Sequence, residues 1–113
     1  MHEVSLIESV IGLVEQERRK QAFGRVNAIR LQVGALSCAD PEALRFCFDA
    51  VARGTIAEGA RLEIDTVPGT GWCAMCQRAV LLEERFSACS ICGSPGVKMT
   101  GGDALRLAEM EVE

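Results

Sequence analysis

The sequence predicts an α+β fold: two helices and a small three-stranded sheet, with a metal-binding segment inserted before the last strand. Three observations carry this expectation. Two stretches repeat apolar residues at helical spacing, and three alternate apolar with polar residues as half-buried strands do. Two Cys-x-x-Cys pairs fall between the second and third alternating stretches. A chain of 113 residues has room for one domain and a small appendage.

The elements follow in order. Val4 to about Phe23 reads as an amphipathic helix: Val4, Ile7, Ile11 and Val14 recur at helical spacing with Val10 beside them, and Glu8, Glu15, Arg18 and Arg19 take the other faces. Gly24 is its stop. Arg25 to Val33 alternates Ile29, Leu31 and Val33 with Arg30 and Gln32, a strand buried on one face, closed by Gly34. Asp40 can cap a second helix with Pro41 at its first position; Leu44, Phe48 and Val51 line one face with Cys47 alongside, and Gly54 ends it. Ala60 to Val67 alternates again through Leu62 and Ile64. Pro68-Gly69-Thr70-Gly71 is the expected linker, and residues 72–97 read as short strands and turns. The tail from Ala104 shows Leu105 and Leu107, then Met110 and Val112, a strand whose phase slips near Ala108-Glu109 as at a bulge. A lone terminal strand is unstable, so it should return to the first sheet. The expected division is therefore 1–70 with 98–113, and 71–97.

Composition narrows the function classes. At 49% hydrophobic and 25% charged residues the chain is globular and not disordered. Twelve Lys and Arg against sixteen Asp and Glu, a net charge of -4, argue against a general polyanion binder. Arg18-Arg19-Lys20 lies next to Glu15 and Glu17 and reads as a solvated helix face. No apolar run approaches the roughly 20 residues of a membrane span, and the start, Met1-His2-Glu3, is no secretory signal. The reading is a cytoplasmic protein without membrane or nucleic-acid partners, in which thiols stay reduced.

Of six cysteines, Cys73, Cys76, Cys89 and Cys92 form the two pairs, with Gln77 to Ala88 between them. Two such turns can bring four thiolates around one ion, and four sulfurs without histidine favour zinc, with iron the main rival. Two disulfides or a redox pair are the other readings; the compartment disfavours the first, and the missing strand-then-helix setting disfavours the second. A closed four-cysteine site leaves no position for a substrate, so its role is structural. It would hold a segment with little core, whose bulky apolar residues are Trp72, Leu81, Leu82, Phe86 and Ile91. Cys47 reads as core and Cys38 is unassigned.

The single histidine is residue 2. A lone terminal histidine is ordinarily incidental. Its chemistry is nevertheless specific: with Met1 retained, the α-amine, the His2 amide nitrogen and the His2 imidazole lie on consecutive chelate rings. Such donors suit square-planar Ni(II) or Cu(II), with Glu3 or Asp40 able to add an oxygen. Binding would release protons.

Met1-His-Glu3, Leu31-x-Val-Gly-x-Leu-Ser37, Pro41-Glu-Ala-Leu-x-Phe-x-Phe48, Gly54-Thr55, Glu58-Gly-Ala60, the double Cys-x-x-Cys and Glu109-Met-Glu-Val-Glu113 together closely resemble the HypA/HybF family. The resemblance covers essentially the whole chain. It implies a nickel metallochaperone for [NiFe]-hydrogenase maturation, in some members serving urease, with a two-helix, three-stranded nickel-binding domain and a separate zinc domain. By position it puts nickel at the Met1 amine and the His2 backbone and imidazole, with Glu3 and Asp40 as further candidates. It puts one structural zinc per chain at Cys73, Cys76, Cys89 and Cys92. Implied partners are the GTPase HypB and the hydrogenase large subunit, with a homodimer also compatible, and no catalysis is expected. The exposed face of the first helix, with Glu8, Glu15 and Arg18, is a candidate docking surface. Zinc-flanking histidines found in some relatives are absent here.

Two other classes remain to be weighed. A zinc-ribbon module binding nucleic acid or protein would want a basic face and stacking aromatics, but the chain is acidic with Trp72 and four Phe. A thiol oxidoreductase would need a free redox pair.

Overall fold

The computed structural model describes residues 2–113, with α1 (His2–Lys20), β1 (Val26–Gly34), α2 (Pro41–Ala52), β2 (Arg61–Val67), β3 (Gly69–Cys73), β4 (Arg78–Leu82), β5 (Lys98–Gly101) and β6 (Leu105–Val112). Two three-stranded sheets form, in the orders β2-β1-β6 and β4-β3-β5. The α+β class, the two helices and the return of the last strand to the first sheet stand as the pattern predicts. The chain divides into two compact units: Met1–Gln32, Ala39–Asp65 and Arg106–Glu113 form one, Val33–Cys38 and Thr66–Leu105 the other.

Helix α1 buries Ile7, Val10, Ile11 and Val14, the stripe its spacing announces. Its bounds differ from Val4–Phe23. The helix begins two residues earlier, where no apolar period marks it but Glu3 suits the positive end of the helix dipole. It ends at Lys20, after a last turn of Arg18, Arg19 and Lys20 that complements the negative end. Gly12 sits in mid-helix, where glycine costs about 1 kcal/mol relative to alanine. Beyond its neighbours and the helix's own backbone, a Cβ added there would meet no atom within 4 Å, so the packing of α1 does not demand the glycine.

In β1, Ile29, Leu31 and Val33 are buried, and the intervening Arg30 and Gln32 are half-buried because β1 is the central strand. Arg30 reaches both neighbours. Its guanidinium pairs with Glu63 and with Asp65 (3.0 Å) on β2, and with Glu109 (2.9 Å) on β6. Arg61 adds Glu63 (2.8 Å) and Glu111 (3.5 Å). These pairs sit at the surface and contribute little each, and they bridge β1 to β2 and to β6. They also draw Glu63 inward, which blurs the alternation expected in β2. In β6 the half-buried positions change phase between Leu107 and Ala108, where the sequence pattern slips.

Helix α2 starts as its sequence dictates. Asp40 is extended (φ -89°, ψ 117°), its Oδ1 accepts the Glu42 N–H at 3.0 Å, and Pro41 follows at the first helical position. Leu44, Cys47, Phe48 and Ala52 are buried; Val51, expected on that face, is half-buried, and Ala52 takes its place one turn beyond Phe48.

The expected linker is instead the start of a strand. Gly69 and Gly71 are buried within β3, which pairs antiparallel with β4 (Gly69↔Leu82 to Cys73↔Arg78) and with β5. A Cβ at Gly69 would lie 2.5 Å from the Leu82 carbonyl oxygen, and one at Gly71 2.7 Å from Val97 Cγ1. These glycines permit close approach inside a sheet, and flexibility is not their function. The buried cluster around the cysteine turns is small: Cys73, Val80 and Cys89, with Cys76 and Val97 against them. Leu82 is buried, while Trp72, Leu81, Phe86 and Ile91 are exposed.

Phe46 and Phe48 sit two residues apart on α2, one 87% exposed and the other 2%. Phe48→Ala should therefore cost about 3–5 kcal/mol. Phe46→Ala should cost under about 0.5 kcal/mol. Denaturant unfolding of the metal-loaded chain reads both; equal losses would contradict the packing described.

Candidate metal centre

Each Cys-x-x-Cys forms a tight turn of the same design. Cys73 closes β3 and Arg78 opens β4, so Cys73 and Cys76 straddle a hairpin loop. In both turns the first cysteine is buried and its sulfur accepts backbone N–H groups from within its own turn. Cys76 N–H donates to Cys73 Sγ at 3.4 Å, and Ile91 and Cys92 N–H donate to Cys89 Sγ at 3.4 and 3.5 Å. In both, the residue just after the second cysteine is left-handed: Gln77 at φ 51° and Gly93 at φ 73°. Glycine adopts that conformation freely, whereas Gln77 is strained there. The special role of Gln77 is legible only by aligning the two pairs, since glutamine carries no turn signal of its own.

The two turns converge. Cys73 Sγ lies 3.7 Å from Cys92 Sγ and Cys76 Sγ 3.9 Å from Cys89 Sγ, with all four sulfurs within 4.8 Å of one another. Thiolates at about 2.3 Å from a tetrahedral ion would be about 3.8 Å apart. Bonded sulfurs would be about 2.05 Å apart, so these four are thiols and the disulfide reading lapses. No helix follows either pair among the described residues, as a redox Cys-x-x-Cys would require.

The thiols are electrostatically unequal. The N–H groups of Cys92, and then of Ile91, pull the Cys89 thiol down to about 6. Cys76 is pushed up to about 12, first by the Cys92 thiol beside it and then by loss of solvent. Four sulfurs this close cannot all ionise without a cation among them. The donor set is soft, tetrahedral and closed, and it fits a structural metal such as zinc.

The amino-terminal candidates are arranged differently. Met1 lies outside the described residues. His2 and Glu3 are the first two residues of α1, not an unstructured lead-in. The His2 side chain is 52% exposed, with Nδ1 at 3.4 Å from Glu3 Oε2. That same carboxylate oxygen accepts the Asp40 N–H at 3.4 Å, so Glu3 touches both other candidates. Its own backbone N–H, and then that of Asp40, hold its carboxyl below the usual range. Asp40 meets Glu3 through its amide, while its carboxylate caps α2. Cys47 is buried, its thiol pushed up by desolvation, and Cys38 is exposed at φ 65°; neither joins the four-sulfur group.

Residues 1–112 match the family model described as hydrogenase/urease nickel incorporation, metallochaperone, HypA. The chain belongs to the HypA family. The hydrogenase maturation factor HypA of Methylocella silvestris is 72% identical over 113 residues, covering all of both chains. Hydrogenase maturation factor HypA 2 of Bradyrhizobium diazoefficiens is 50% identical over the same span. Among solved structures, the solution structure of the nickel metallochaperone HypA from Helicobacter pylori superposes with a TM-score of 0.73, covering 97% of this chain and 96% of that one at 22% identity. A second HypA solution structure gives a TM-score of 0.71 at 24% identity, with coverage of 100% and 97%. Both carry the HypA fold described here.

Proposed function

We propose that this chain is a nickel metallochaperone, binding Ni(II) at its amino terminus and delivering it for maturation of [NiFe]-hydrogenase, with urease a further client in the manner of the family description. The observation that carries this reading is the match of residues 1–112 to a nickel-incorporation family. It displaces the zinc-ribbon alternative, because the match takes in the helices and the first sheet as well as the cysteine turns. The chain acts as a carrier and does not catalyse a reaction, and it works in the cytoplasm.

Nickel is cargo, held by the Met1 amine and by the amide and imidazole of His2, with Glu3 and Asp40 as neighbours. Placement of His2 in the first turn of α1 supports this set, since the first four N–H groups of a helix have no intrahelical acceptor. The His2 amide is thus free to exchange its proton for a metal. A dication meets the positive end of the helix dipole here, which opposes binding; the loss of the amide proton and the Glu3 carboxylate offset it. Affinity held between those opposing terms is intermediate and falls with acid, which suits a carrier.

Cys73, Cys76, Cys89 and Cys92 hold one zinc as a resident structural ion, in a zinc domain of residues 71–97 inserted into a nickel-binding domain of 1–70 and 98–113. Zinc supplies there the positive charge that lets four crowded thiolates coexist. The receiving partners are a GTPase of the HypB kind and the hydrogenase large subunit.

Calorimetric nickel titration of wild type and His2→Ala tests the cargo site. The variant should lose nickel binding and keep its zinc; unchanged nickel stoichiometry would refute the assignment. Chelation should melt residues 72–97 while the amide signals of α1 and α2 persist in NMR spectra. A segment that stays folded at saturating chelator would refute the structural role of the ion.

A further inference from the structure

Between α1 and the end of α2 lies a groove of about 350 Å³, lined by Glu8, Ile11, Gly12 and Glu15 from α1 and by Val51 and Thr55. The four α1 residues are spaced i, i+3, i+4 and i+7, a single stripe of the helix. Three features of this groove are unexplained by the fold. Gly12 forms part of its floor although a Cβ there would meet nothing in the chain. Val51, expected in the core, is left half-buried along it. Glu8 and Glu15 have no ion-pair or hydrogen-bond partner among the described residues, whereas Glu63, Asp65, Glu109 and Glu111 on the sheet are all paired.

A helix-weakening glycine where an added Cβ would meet nothing, flanked by two carboxylates without partners among the described residues, is explained by something that comes close from outside. We infer that this groove docks a helix of a partner protein, one carrying a branched aliphatic side chain flanked by Lys or Arg. The chemistry sets the spacing. Glu8 and Glu15 stand about 10.5 Å apart along the helix axis, so cations at i and i+7 of a partner helix match them, with the aliphatic residue at i+3 or i+4 between. Ile11 and Val51 give that side chain an apolar floor, and the absent Cβ at Gly12 lets the partner backbone descend onto α1. The surface uses none of the four clustered cysteines and no proposed nickel ligand. Its failure would therefore leave the carrier reading intact.

The test uses the full metal-loaded chain and two alanine-based helical peptides. One has leucine at i+3 and i+4 between lysines at i and i+7; the other has glutamate in place of lysine. In NMR titration the lysine peptide should shift the amides of Glu8, Gly12, Glu15, Val51 and Thr55, and the glutamate peptide should not. Gly12→Ala should raise the thermal midpoint by about 2–8 °C. The same change should weaken the lysine peptide roughly tenfold, a gain in stability coupled to a loss of binding. Glu8→Lys with Glu15→Lys should reverse the preference between the peptides. Equal affinity in Gly12→Ala, equal binding of both peptides, or shifts confined to another surface would overturn the inference. So would a dimer in sedimentation that Gly12→Ala abolishes, which would assign the groove to a second copy.

Discussion

Four sulfurs within 4.8 Å of one another are the constraint on which the second unit depends. Around the cysteine turns the buried cluster is Cys73, Val80 and Cys89, so residues that would hold an ion are also residues of the local core. A cluster of that size offsets little of the backbone entropy of the turns by apolar burial alone. Attraction between thiolates and a cation would supply the remainder. The sheet β4-β3-β5 serves mainly to bring the two turns to the same place, and buried glycines in β3 let its neighbours come close enough to do so. On the proposal of a structural ion, binding and folding of this unit are one equilibrium.

The amino-terminal site is built on the opposite plan. The cysteine turns are anchored by backbone N–H groups aimed at sulfur, in a pocket where Cys73 and Cys89 are nearly inaccessible. His2 stands half-exposed at a helix start, and its side-chain partner Glu3 is shared with the Asp40 amide. A sulfur-rich set with two of its four cysteines buried suits an ion that stays. On the carrier reading proposed above, half-exposed nitrogens at a helix end that opposes cations suit one that is released. Two such ions, as proposed, are kept apart by donor softness and geometry, because a tetrahedral set of sulfurs and a set of nitrogens have different preferences.

How far this was legible in the sequence varies by residue. Asp40-Pro41, the alternation around Ile29 and Leu31, and the Ile7–Val14 stripe are local signals, and each element they announce is present because nothing distant overrides them. The doubled Cys-x-x-Cys made the sulfur cluster readable in the same way. Legibility fails where the deciding contact is remote. Gly69 and Gly71 look like a linker until Leu82 and Val97 are brought against them. His2 and Glu3 carry no apolar period, so their helical state is invisible to pattern. Trp72 and Phe86, bulky enough to suggest a core, are exposed because the sulfurs already occupy the centre of their unit. Arg30 reads as one polar position in an alternating strand, and its three carboxylate partners come from strands more than thirty residues away in sequence.

That contrast between paired and unpaired charge bears on how a carrier finds its client. On the sheet, Arg30 and Arg61 absorb the carboxylates of β2 and β6, leaving a surface whose charges are already satisfied and which gains little by meeting another. On α1, Glu8 and Glu15 have no partner among the described residues and stand beside an apolar floor. Unsatisfied charge of one sign speeds encounter with a partner of the other and suppresses wrong ones, while the apolar floor supplies the area that holds the complex. Gly12 follows the same logic at the level of the backbone, because a helix optimised for its own stability would carry alanine there. A metal carrier must release both its cargo and its partner. On the two proposals above, stability given up at Gly12 and affinity moderated at the helix end serve that single requirement.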